Sequence, residues 1–328
     1  MKYFYIGLVI ILLVNVSRPI SVEQISHTPL FSGYSAYSYL VDQCDFGPRP
    51  PGSDNLSLCR TMIAEVLESF GWNVTFQNFS YHEVECVNII ATWKSQSNSP
   101  IIIGAHYDTR PPNSVSPGSG VGANDGASGV AVLLELANKL PNETRESVEI
   151  VLFDAEDSGG VNDWDYIQGS TYYVSQLSAE RRTSTHAMVL VDMVGDINLE
   201  LPRESSSTSS LQNAIWSLAG QLGHNDTFIE SYGGSILDDH RPFLDAGIPA
   251  VDLIQIPFPW YWHTLEDTPD KCSAESLETV GEVLEVFLVQ EANSLSPFPL
   301  DPPIFLIVVV LAVVALSIPV LYFQLKKR

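Results

Sequence analysis

The sequence predicts an α/β fold in three layers, with a central mixed, mainly parallel sheet covered by helices on both faces. Three observations lead there. Ile101–Ala105, Val148–Phe153, Ala187–Asp192 and Pro249–Ile254 are short, nearly unbroken apolar runs, the pattern of strands buried on both sides. Between and after them lie stretches with helical spacing, Ala127–Leu140, Gly169–Leu177, Leu211–Leu222 and Ser276–Glu291. Such alternation of strand and helix is the mark of a parallel sheet. Asn73–Phe79 and Glu85–Trp93 instead alternate in polarity and read as antiparallel strands at an edge.

The remaining elements follow in order. An extended, aromatic segment leads to Phe46–Ser53, a loop by its Pro and Gly content. Ser57–Phe70 carries apolar residues at helical spacing and stops at Gly71. The loop Arg110–Gly122 joins the first core strand to G-A-N-D-G-A-S-G-V at Gly122–Val130. No internal repeat is present.

The chain has 328 residues, which suits one large domain over residues 22–293 better than two. A net charge of -23 and a pI near 4.4 argue against nucleic acid or an anionic lipid surface as partner. They favour cationic ligands, a peptide α-ammonium among them. Residues 1–21, with one Lys before the apolar Tyr5–Val14, read as a secretory signal peptide or an uncleaved anchor. A Pro-rich linker at 294–303 precedes an apolar run at 304–324, long enough to span a bilayer. The basic tail at 325–328 places the cytoplasm on its side. The expected arrangement is a single-pass membrane protein with its domain outside the cytoplasm. Sequons at Asn55, Asn73, Asn78, Asn142 and Asn225 agree with export. Of the four cysteines, Cys44 and Cys59 are the preferred disulfide pair, because their bridge would close a short Pro/Gly-rich loop. None is spaced for metal as C-x-x-C.

The chemistry gathers where the core runs end. Ile101–Ala105 leads into His106 and Asp108, Val148–Phe153 into Glu156 and Asp157, and Ala187–Val191 into Asp192. Open α/β sheets bind ligands beyond the carboxyl ends of their strands. Catalytic zinc wants about three His or carboxylate ligands and an open position. Asp125 in its Gly-flanked turn, Asp157 and the distant His263 supply such a set. His106 and Asp192 would add a second metal position with Asp125 as the bridge. Glu156 is then free to act as general base and acid. Singly, each has a plain reading as a turn, cap or core residue; together they make a metal site.

H-Y-D-T-R-P, G-A-N-D-G-A-S-G-V, F-D-A-E-D, V-D-M-V-G and D-D-H-R-P-F-L-D-A-G-I-P-A together resemble the zinc aminopeptidase superfamily, with its phosphorylase/hydrolase-like fold, over Tyr39 to Ala292. The stretch D-D-H-R-P-F-L, followed by I-P-F-P-W-Y-W-H-T at Ile256–Thr264, is most similar to the glutaminyl cyclases, which convert an N-terminal Gln to pyroglutamate and release ammonia. The resemblance implies Asp125, Asp157 and His263 as zinc ligands and Glu156 as the proton-transfer residue. It implies Asp192 and Asp238 as an acidic pair ordering protons, and Phe258, Trp262 and Trp164 as walls of a pocket for peptide or protein N-termini. Asp252 stands where animal members carry a His near the substrate. A dinuclear aminopeptidase, with His106 and Asp192 at its second metal, uses the same residue types. An inactive membrane-tethered binding domain is a third expectation.

Overall fold

The computed structural model describes residues 27–94, 101–113 and 117–295. The leader at 1–21, the run at 304–324 and the basic tail lie outside them. Among the described residues no helix is long and apolar enough to cross a membrane.

Six strands form the main sheet: β1 (Asn73–Tyr81), β2 (Val84–Thr92), β3 (Ile101–His106), β4 (Val148–Phe153), β5 (Ala187–Asp192) and β8 (Ala250–Ile254). Their order is β1-β2-β4-β3-β5-β8. The β1–β2 hairpin runs antiparallel and joins β4 antiparallel, whereas β4, β3, β5 and β8 are mutually parallel. The expected mixed, mainly parallel sheet is therefore present. Two short strands, β6 (Leu201–Glu204) and β7 (Phe228–Gly234), form a separate parallel pair. The helices are α1 (Gly33–Cys44), α2 (Asp54–Ser69), α3 (Ala127–Lys139), α4 (Asn142–Arg145), α5 (Gln168–Gln176), α6 (Ala179–Ser184), α7 (Ser209–Leu222), α8 (Arg241–Asp245) and α9 (Ala274–Leu295).

The apolar runs serve two cores at once because successive strand side chains point to opposite faces. Ile101, Ile103 and Ala105 enter the larger core with residues of α1, α3 and α9, while Ile102 enters the smaller one with Tyr173 of α5 and Phe243 of α8. Helix α3 packs with its backbone close to β5: a Cβ on Gly129 would lie 2.0 Å from the Val191 carbonyl oxygen. Only glycine fits there.

Two expectations are corrected. The aromatic segment read as extended is α1, capped by Ser32, whose hydroxyl accepts the Ser35 N–H, and burying Ala36, Leu40 and Cys44 on one face. Cys44 and Cys59 do not pair; all four cysteines are free and buried. The Cys44 thiol donates to the Val121 carbonyl at 3.8 Å, while Cys59 packs in the larger core from the inner face of α2.

Candidate metal and active site

Parallel register brings the polar strand ends to one level. His106 pairs with Phe153 across β3 and β4, and Asp192 with Ile254 across β5 and β8, so Glu156, Asp157 and Asp192 emerge on one rim. Asp125 comes from the turn entering α3, where Gly126 has φ of 99° and a Cβ would press on the Asp108 carbonyl at 2.7 Å. His263 arrives from the loop after β8. Three non-glycine residues at positive φ lie here: Ala155 at 58°, Met193 at 45° and His263 itself at 57°. Strained backbone of this kind is tolerated where the surroundings enforce it, commonly at functional sites.

Among the described residues two groups of ligand atoms result, each within 4.8 Å: Asp125, Asp157 and His263, and His106, Asp125 and Asp192. In the first, His263 Nε2 lies 2.9 Å from Asp157 Oδ1 and 3.6 Å from Asp125 Oδ2. In the second, His106 Nε2 lies 3.2 Å from both Asp125 Oδ1 and Asp192 Oδ1. The residues expected as ligands, His106, Asp125, Asp157, Asp192 and His263, are thus brought together, with Asp125 common to both groups. The donor set of carboxylate oxygens and imidazole nitrogens fits zinc. Burial, then the charge of Asp125, pushes the Asp157 carboxyl up to about 6. Facing buried carboxylates are unfavourable unless a cation offsets them, which is what this donor set would hold.

Glu156 lines the same pocket, and its carboxyl is held well above the usual carboxylate range by burial, opposed by His106 and reinforced by Asp238. Asp238 is raised likewise by burial, then by Asp192 and Asp239. A carboxyl raised in this way is better matched to taking up and releasing protons than an ordinary one. The pocket encloses about 250 Å³, and its apolar walls include Phe258, Trp262, Tyr166 and Ile236. Phe258 and Trp262 have ring centroids 4.5 Å apart, and Trp262 stacks on the His263 ring at 3.5 Å.

Two predicted pocket residues lie elsewhere. Trp164 packs edge-on against Tyr81 of the β1–β2 hairpin at 5.1 Å, and Tyr166 takes the wall position instead. Asp252 is fully buried, with Oδ2 3.5 Å from His240 Nδ1, and does not line the pocket. It lies two residues before the pocket-lining Ile254 in β8, hence about 7 Å deeper along the strand.

Several supporting residues carry little signal of their role in the sequence. Asp267 accepts the N–H groups of Asn124 and Asp125 at 2.8 and 3.0 Å and so fixes the shared ligand's turn. Arg110 Nη1 lies 3.3 Å from Asp157 Oδ1, and the Ser119 hydroxyl reaches Asp125 Oδ2 at 3.4 Å and Asp157 Oδ2 at 3.2 Å. The acid in H-T-L-E-D-T was the one visible signal for Asp267.

Comparisons with known proteins find relatives along most of the described domain. The glutaminyl-peptide cyclotransferase of Gloydius blomhoffii is 27% identical over 296 residues, covering 75% of this chain and 78% of the relative. The solved glutaminyl cyclase of Bacteroides thetaiotaomicron has a TM-score of 0.72 and 32% identity, covering 80% of this chain and 99% of its own. A second structure from that species, described as a leucine aminopeptidase precursor, has a TM-score of 0.72 and 32% identity, covering 80% of this chain and 98% of its own. The description "Peptidase family M28" matches residues 88–288, more than half of the sequence, and the chain belongs to that family.

Proposed function

We propose that this protein is a zinc-dependent glutaminyl-peptide cyclotransferase, turning the N-terminal Gln of peptides or proteins into pyroglutamate with release of ammonia. The observation that carries it is Glu156 with its raised carboxyl, set beside the Asp125–Asp157–His263 group in a pocket walled by Phe258 and Trp262. The similarity to glutaminyl cyclases supports the same reading.

Zinc held by Asp125, Asp157 and His263 would supply Lewis acidity at the substrate's γ-carboxamide. In its ionised form Glu156 accepts the proton of the α-amine as that nitrogen attacks the side-chain carbonyl carbon. It then returns a proton to the departing ammonia, so that one C–N bond forms and one breaks. Phe258 and Trp262 exclude water and hold the Gln side chain folded back on its own amine. Asp192 and Asp238 line the same pocket as Glu156 and are the acidic pair that would order protons beside it.

The His106–Asp125–Asp192 group favours a second reading, a dinuclear aminopeptidase. Incubating the zinc-loaded domain with short peptides beginning in Gln, Leu or Ala separates the two. Loss of ammonia from the Gln peptide alone is expected, whereas release of free Leu or Ala would replace the cyclase reading with the peptidase. We further infer export, with residues 1–21 as signal or anchor, glycans on sequons and residues 304–324 as the membrane tether. Protease protection of the tail in intact cells tests that topology.

A further inference from the structure

Glu204, at the end of β6, belongs to neither ligand group and does not line the pocket, yet it is fully buried. Its Oε1 accepts the Ile236 N–H at 3.0 Å. Oε2 accepts the Ser207 N–H and hydroxyl at 2.7 and 2.8 Å. The Ser206 N–H and hydroxyl reach both oxygens at 2.8–3.0 Å. The same carboxylate lies 3.4 Å from His240 Nε2. Burial would push this carboxyl up, but His240 and these donors hold it well below the usual range.

Ile236 and His240 bracket Leu237 and Asp238, and Ile236, Leu237 and Asp238 all line the pocket. One carboxylate therefore grips both ends of the strip that forms a pocket wall. We propose that Glu204 is a positioning residue for substrate binding, setting where that strip sits relative to Phe258 and Trp262, which line the same pocket. The substrate named rests on the cyclotransferase reading; the clamp itself does not. A Gln at this position is nearly isosteric, but its amide N–H groups would meet donors on either side, so the clamp opens at one end or both.

The test compares the zinc-loaded full chain with its Glu204→Gln variant. In the variant, amide exchange across residues 236–240 is expected to rise about tenfold, and KM for a Gln-leading peptide about tenfold, with kcat within about twofold and zinc content unchanged. A merely structural role would lower the melting temperature and the active fraction and leave KM in place. A folded variant with unchanged KM overturns the proposal, whatever its exchange. Should Glu204→Gln fail to fold, His240→Leu, which leaves no donor there, frees the far end of the clamp, and an unchanged KM in a folded His240→Leu is equally fatal. If the unaltered protein cleaves Leu peptides instead, KM is read on those, and only the cyclotransferase reading fails.

Discussion

Asp108 holds Glu156 and Asp157 in place with one carboxylate: Oδ1 accepts the Glu156 N–H at 3.1 Å and Oδ2 the Asp157 N–H at 3.2 Å. The proposed acid/base and a proposed zinc ligand are thus tied to the end of β3, and Asp108 Oδ1 also lies 3.4 Å from His106 Nδ1. Asp108 follows the same apolar run as His106, but in the fold it belongs to neither ligand group.

Asp108→Asn keeps the shape but turns an N–H donor toward one of those backbone donors. Outer partners of metal ligands commonly contribute 10–100-fold to affinity or activity, so a loss of about that size in kcat/KM is expected. Steady-state kinetics and zinc retention on dialysis check it; full activity with tight zinc would show that the strand end is held by other means.

Glu156→Gln and His263→Ala separate proton transfer from metal binding. The first should lower kcat by roughly 10²–10⁴ while zinc stays bound. The second should lose zinc, since it removes the only imidazole of the Asp125–Asp157–His263 group. Metal analysis beside activity gives both answers, and near-normal turnover by Glu156→Gln would remove it from the mechanism.

Trp262→Ala removes the ring that stacks on His263 and faces Phe258. An aromatic contact is worth about 1 kcal/mol beyond its buried area, and tenfold in affinity is about 1.4 kcal/mol. KM for a Gln-leading peptide should rise at least about tenfold. Competition with a peptide lacking Gln shows whether the loss is specific to the pocket, and an unchanged KM would place the Gln side chain elsewhere.

Much of this was legible in the chain because burial on both faces leaves a continuous apolar run. The bounds of β4 and β5 coincide with Val148–Phe153 and Ala187–Asp192 for that reason. The site was legible because it sits where those runs end. Helix α1 was not, since its aromatic residues mask the Ala36, Leu40 and Cys44 spacing. Strands β6 and β7 escaped because L-P-R-E is four residues long and buries Arg203 and Glu204, which satisfy their charges only in three dimensions. Asp252 and Trp164 were misplaced because a motif gives proximity along the chain, while depth along a strand and the turn of a loop decide which side chain reaches the pocket.

Asp154 offers a test of buried charge at a residue that neither lines the pocket nor joins a ligand group. Its Oδ2 accepts the Val87 N–H at 2.7 Å, and its Oδ1 is buried without a hydrogen-bond partner. Burial first, then the charge of Asp108, pushes this carboxyl from 3.8 up to about 7. The folded state therefore keeps a proton that the unfolded chain releases near pH 4, so stability is greatest below that pH and falls as pH rises through about 7. At 1.36 kcal/mol per unit, the loss is on the order of 2–4 kcal/mol. Asp154→Asn retains the acceptor for Val87 and removes the titration. Urea unfolding should show the variant gaining on the unaltered protein between pH 5 and pH 8; equal pH dependence in the two would mean that Asp154 is ionised in the folded state at no such cost.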